Sequence, residues 1–159
     1  NNNGLEFEVI EIDASFKFKH FDLEVNPFEV DHYPVEPAFG YQIKFLDTGQ
    51  EKKVVISGDT RKSENLIEHS LDADALVHEV FVSLEFDEKR MSKETILNVS
   101  DYHTSPKEIG EIANIAKVKK LILTHFVPPI FDENELIANI AESYNGQIII
   151  GEDLMSIEI

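Results

Sequence analysis

Four residues of this chain have types and settings that suit a chemical site: Asp59, Glu79, His103 and His125. Asp59 follows the apolar run "VVIS" in "VVISGDT", Glu79 lies in "ALVHEV", His103 in "DYHTSP" and His125 in "LILTHF". Each falls at or near the end of a strand pattern or just before a helix, where side chains face a loop edge and can meet a ligand or carry a proton. Carboxylates and imidazoles are also the donors that hold a divalent cation when thiolates are absent. Each residue has a plainer reading as well. Gly-Asp is turn chemistry and Asp59 can cap the following helix. His125 can be a polar residue at a strand end, Glu79 an exposed strand carboxylate and His103 a loop support. His78 reads as a structural residue within its strand, and His20 and His69 as surface residues.

The elements that position these residues follow from periodicity. "LEFEVIEI" and "FKFKHFDLEV" alternate apolar and charged residues at period two, as strands do. "FGYQIKF" and "KKVVIS", joined by "LDTGQE", read as a β-hairpin. From Ser57 onward the rhythm becomes helix "SENLIEHSL", strand "ADALVHEV", helix "PKEIGEIANIAKV", strand "KKLILTHF", helix "DENELIANIAESYN" closed by Gly146, and strand "QIIIGED". Ser105, Pro106 and Glu108 supply an N-cap, a first-turn proline and a capping-box glutamate, and Asp132 with Glu135 repeats the pattern. Alternating strands and helices predict a layered α/β fold with a mixed sheet. In such sheets, residues beyond the carboxyl ends of strands line the binding crevice. Asp59, Glu79, His103 and His125 are therefore expected along one edge.

A chain of 159 residues suits a single domain, residues 1–159. It has 14 basic and 31 acidic side chains, a net charge of −17, so a nucleic-acid or membrane partner would meet long-range repulsion outside a local positive site. The absence of cysteine excludes disulfides and thiolate ligands, and the expectation is a cytoplasmic protein with no membrane partner. The opening "NNNGLEFEVIEID" has no initiator methionine, and reads as a cut inside a larger protein.

The segments "VDHYPVEPAFGYQIKF", "VVISGDTRKSENL", "DADALVHEV", "YHTSPKEIGEIA" and "KKLILTHFVPP" resemble, in that order, the carboxyl-terminal half of the metallo-β-lactamase superfamily, in its ribonuclease Z-like branch. The resemblance implies an αβ/βα sandwich, of which this chain is mainly the carboxyl-terminal half. It implies two divalent metal ions, usually zinc, with manganese or iron as alternatives. By the same resemblance Asp59 bridges the metals, His125 is a terminal ligand, and Glu79 and His103 form a catalytic pair beside them. His32 matches a family histidine to which no role is carried over.

The superfamily's H-x-H-x-D-H motif is absent from these 159 residues. The expectation is thus the carboxyl-terminal portion of a metallo-hydrolase, inactive by itself, with the amino-terminal half of the same protein as its partner. The implied substrate is a phosphodiester, with a tRNA precursor as one member of that class. Arylsulfatase-like and small-molecule phosphodiesterase activities are alternatives. A different class of function is a non-catalytic half-domain that binds a partner or a second copy of itself.

Overall fold

The computed structural model describes residues 9–82 and 92–159. They form a seven-stranded mixed sheet whose strands run in chain order: β1 (Phe18–His20), β2 (Leu23–Glu29), β3 (Phe39–Asp47), β4 (Gln50–Ile56), β5 (Ala75–Phe81), β6 (Lys120–Val127) and β7 (Gln147–Ile150). Strands β1 to β4 pair antiparallel, and β4 to β7 pair parallel. Helices α1 (Glu64–Ser70), α2 (Lys93–Asp101), α3 (Pro106–Ile115) and α4 (Glu133–Ala141) fall in the connections between the parallel strands.

Alternation along the strands decides what is buried. Val55, Leu76, Leu121 and Leu123 meet Leu66 of α1, Ile109 and Ile112 of α3 and Leu136 and Ile140 of α4 in one core. The intervening residues Val54, Ile56 and Val77 point to the other face, beside Tyr41 and Ile43 of β3. That strip is apolar, yet half-buried or, at Ile56, 36% exposed. One sheet with its packed helices on one face makes two layers, the half-sandwich expected from the sequence.

The structure differs from the expected elements in several places, and α3 and β7 each end three residues early, at Ile115 and Ile150. "LEFEVIEI" falls partly outside the described residues, and its remainder, residues 9–12, forms no strand. "FKFKHFDLEV" is two strands, because the chain reverses at Phe21 and Asp22, with Phe21 at φ 49°, and pairs Phe18 with Val25. Helix α2 went unassigned, although Ser92 caps it through the Thr95 N–H and Ile96 is its buried residue. Helix α4 stops at Ala141, four residues before the expected end.

The α3 capping box forms as its sequence implies, whereas at α4 Asp132 is the N-cap and, among the described residues, the Glu135 side chain does not return a bond to the Asp132 backbone N–H. Ser105 accepts from Glu108 N–H while the Glu108 carboxylate accepts from the Ser105 N–H, and Asp132 accepts from the N–H groups of Asn134 and Glu135. Where α3 meets α4, Gly110 lets the backbones touch: a Cβ there would lie 2.5 Å from the Ile140 carbonyl oxygen. Gly110→Ala should therefore push the helices apart and cost about 1–3 kcal/mol, despite alanine's better helix propensity. Urea denaturation checks this, and an unchanged or raised midpoint would count against such close packing.

Candidate metal centre and its neighbours

The three parallel strands β4, β5 and β6 end at one edge and deliver Asp59, Glu79 and His125 there, while His103 comes from the segment between α2 and α3. After β4 the chain turns through Gly58, whose φ of +63° and contact with the Phe39 carbonyl leave no room for a side chain. Asp59 follows. Its carboxylate lies 3.4 Å from Nε2 of His125, and both side chains are substantially exposed, 40% and 53%.

His125 reaches that position through a backbone irregularity. Strict alternation from Leu121 and Leu123 would send residue 125 toward the helices. Instead the β5–β6 register slips: His78 pairs with Leu123, but Val80 pairs with Phe126, so Glu79 stands opposite two residues. The extra residue bulges, and His125 takes φ 44°, a left-handed conformation uncommon outside glycine. Strain of this kind gathers at functional sites. His125→Gly should therefore be more stable than His125→Ala by about 1 kcal/mol, since only glycine relieves the backbone. Equal denaturation midpoints for the two variants would contradict the strain.

Behind this pair lies a buried one. Glu79, 1% exposed, accepts from His103 Nδ1–H at 3.1 Å through Oε2 and from the Thr104 N–H at 2.8 Å through Oε1. The Glu79 N–H donates to Ser57 Oγ at 3.2 Å, and the Thr104 hydroxyl donates to the Thr60 carbonyl at 2.5 Å. The segment before α3 is thereby fastened to both strand ends. The His103 ring stands 5.9 Å from that of His125 and 5.3 Å from that of His32. One ligand atom each from Asp59, His103 and His125 lie within 4.8 Å of one another. A carboxylate oxygen with two imidazole nitrogens is a donor set suited to zinc and similar cations, and three protein ligands leave a coordination position open.

The remaining histidines divide by environment. His78 is fully buried: its Nδ1–H donates to the Glu79 carbonyl at 2.6 Å, and its Nε2 has no partner among the described residues. Burial holds its pKa below the ordinary value of 6.5, against the opposing pull of the Glu79 charge. A depressed histidine contributes stability that is present above its unfolded pKa and lost as pH falls. The loss of stability between pH 7 and 5 should thus be smaller in His78→Leu than in the parent chain; parallel curves would refute it. His20 is exposed as expected. His69 is half-buried, its ring 4.1 Å from that of Phe28 and its Nδ1–H donating to the Asn65 carbonyl. Arg61 and Thr104 also belong to this region, although only their places beside "SGDT" and in "YHTS" mark them in the sequence.

The profile of the beta-lactamase superfamily domain matches residues 1–126, and the chain belongs to that family. It is 34% identical over 134 residues to the ribonuclease Z of Mycobacterium bovis, covering 81% of this chain and 45% of that protein. It is 32% identical over 155 residues to the ribonuclease Z of a Mycobacterium species, strain KMS, covering 96% and 52%. The chain therefore spans about half the length of the curated relatives it matches. Among solved structures, the metallo-beta-lactamase fold protein YhfI of Bacillus subtilis superposes with a TM-score of 0.65 at 21% identity, over 90% of this chain and 52% of that one. The short form of human tRNase Z superposes with a TM-score of 0.54 at 24% identity, over 89% and 45%. The likeness to these two structures shows the fold. That fold implies divalent-metal binding, which the cluster of Asp59, His103 and His125 fits. No helix among the described residues is long and apolar enough to cross a membrane.

Proposed function

We propose that this chain is the carboxyl-terminal portion of a metal-dependent phosphodiesterase of the ribonuclease Z kind. The observation that carries the reading is the Asp59–His125 pair at 3.4 Å, with the buried Glu79–His103 pair set directly behind it. The naming of the relatives as ribonuclease Z supports RNA as substrate, and a tRNA precursor is the member of that class that the sequence resemblance implies. Two divalent metals, zinc first among the alternatives, would supply an activated hydroxide when bound. Asp59 and His125 would hold them. The ligands these two residues cannot provide, and the cover for the apolar sheet face, would come from the amino-terminal half of the same protein.

In this reading His103 carries the proton. Glu79 accepts from its Nδ1–H, which fixes the tautomer, and Nε2 would then face the reacting group. From there a protonated His103 stabilises charge on the phosphoryl oxygens or protonates the departing oxygen. A second reading has a specific observation behind it. His103 lies within the three-residue cluster, and metal-bound histidines commonly donate their other N–H to a carboxylate, as His103 does.

Metal content separates the two readings. In the full-length protein, Asp59→Asn and His125→Ala should lower bound metal, whereas His103→Ala should keep it and reduce kcat roughly 10²–10⁴-fold. Loss of metal from His103→Ala would make that residue a ligand instead. Salt dependence identifies the substrate: cleavage of a tRNA precursor should weaken steeply with rising salt, and cleavage of a small phosphodiester should not. A protein that binds no divalent metal and cleaves neither substrate would overturn the proposal.

A further inference from the structure

The segment that carries His103 is held by a second device, one the chemistry above does not use. Arg61 lies two residues after Asp59, and Asp101 two residues before His103. The Arg61 guanidinium donates from Nη1 to Asp31 Oδ1 at 2.7 Å, from Nη2 to Asp101 Oδ2 at 2.9 Å, and from Nε to the Asp101 carbonyl. Nη2 also meets the Tyr33 carbonyl at 3.4 Å, and the Arg61 backbone N–H donates to the Asp31 carbonyl at 2.7 Å. One side chain thus joins the loop after β2, the turn that carries Asp59 and the last residue of α2. His32, on the same loop, adds a further tie, its Nδ1–H donating to the Tyr102 carbonyl at 2.9 Å next to His103.

These ion pairs face solvent: the Arg61 side chain is 26% exposed, and those of Asp31 and Asp101 are 52% and 77%. Pairs of that kind contribute little to global stability. What the arrangement does provide is geometry. A planar fork of donors engages two carboxylates and two carbonyls at fixed angles, and a lysine ammonium cannot span the same set. The ends of the network are two residues from Asp59 and two from His103, the residues whose mutual placement the site requires.

We propose that Arg61 is a positioning residue, which fixes the backbone from which His103 meets Glu79 and faces the Asp59–His125 pair. Its effect on turnover rests on the phosphodiesterase reading; its effect on the His103 hydrogen bond does not.

The test is made on the full-length protein with selectively 15N-labelled histidine, without metal or substrate, in the parent and in Arg61→Gln, Arg61→Lys and Asp101→Asn. In the parent, the His103 Nδ1–H bonded to Glu79 should exchange slowly with solvent. Arg61→Gln and Asp101→Asn should broaden or abolish that signal while urea midpoints stay close to the parent's, and Arg61→Lys should fall between. In a phosphodiester assay, Arg61→Gln should lower kcat about tenfold to a hundredfold with KM within about twofold, the mark of a misplaced group that substrate does not touch. A folded Arg61→Gln with an unchanged Nδ1–H signal overturns the proposal, whatever its activity. Should Arg61→Gln fail to fold, Asp101→Asn decides by the same signal, since it keeps shape and carbonyl and loses only the charge. A parent that hydrolyses no phosphodiester, yet shows the Arg61-dependent signal, sinks the functional reading and leaves the positioning role standing.

Discussion

The site depends on one buried carboxylate. Glu79 is inside the protein at the end of β5, where an ionised group survives only with partners. It has two on one short segment, the His103 ring and the Thr104 N–H, and that segment leads directly into α3. Removing either partner would leave one carboxylate oxygen buried without that hydrogen bond, so both bonds tie the segment to the strand it docks on. The position of His103 relative to His125 follows from that docking, because β5 and β6 are neighbours in the sheet.

Backbone geometry completes what Glu79 begins. Gly58 turns the chain tightly enough after β4 to present Asp59 at the rim, and the bulge opposite Glu79 presents His125 against the ordinary alternation of β6. Two strand ends are shaped for display, and the third is shaped for support. In the proposed reading the exposed residues, Asp59 and His125, hold the cation. The buried ones, Glu79 and His103, are suited to holding a proton in a defined place. The difference in burial is the physical basis for giving the two pairs different tasks.

Much of this was legible in the sequence because local rules agree with the fold. Turn chemistry between two apolar runs marked β3 and β4, apolar runs alternating with helix patterns marked β5 to β7, and the Ser105–Pro106–Glu108 sequence marked the start of α3. Asp59, Glu79 and His125 could be placed at or near strand ends because each follows an apolar run. The clasp of Arg61 with Asp31 and Asp101 was not legible, since its partners are 30 and 40 residues away and a lone arginine after "GDT" has no periodicity to betray it. The bulge was not legible either: period-two reasoning places His125 on the wrong face, and only the register between β5 and β6 corrects it. Helix α2 escaped because its apolar face is short, with Ile96 as its one buried residue among the described neighbours.

The central claim is that Asp59 and His125 hold metal while His103 remains with Glu79. Anomalous diffraction from crystals of the full-length protein, collected on both sides of the zinc absorption edge, tests it most directly. The account predicts an anomalous peak about 2.0–2.2 Å from an Asp59 oxygen and a His125 nitrogen, with His103 Nδ1 still bonded to Glu79 and its Nε2 outside the coordination sphere. A peak coordinated by His103, or a metal bound away from Asp59 and His125, would contradict it.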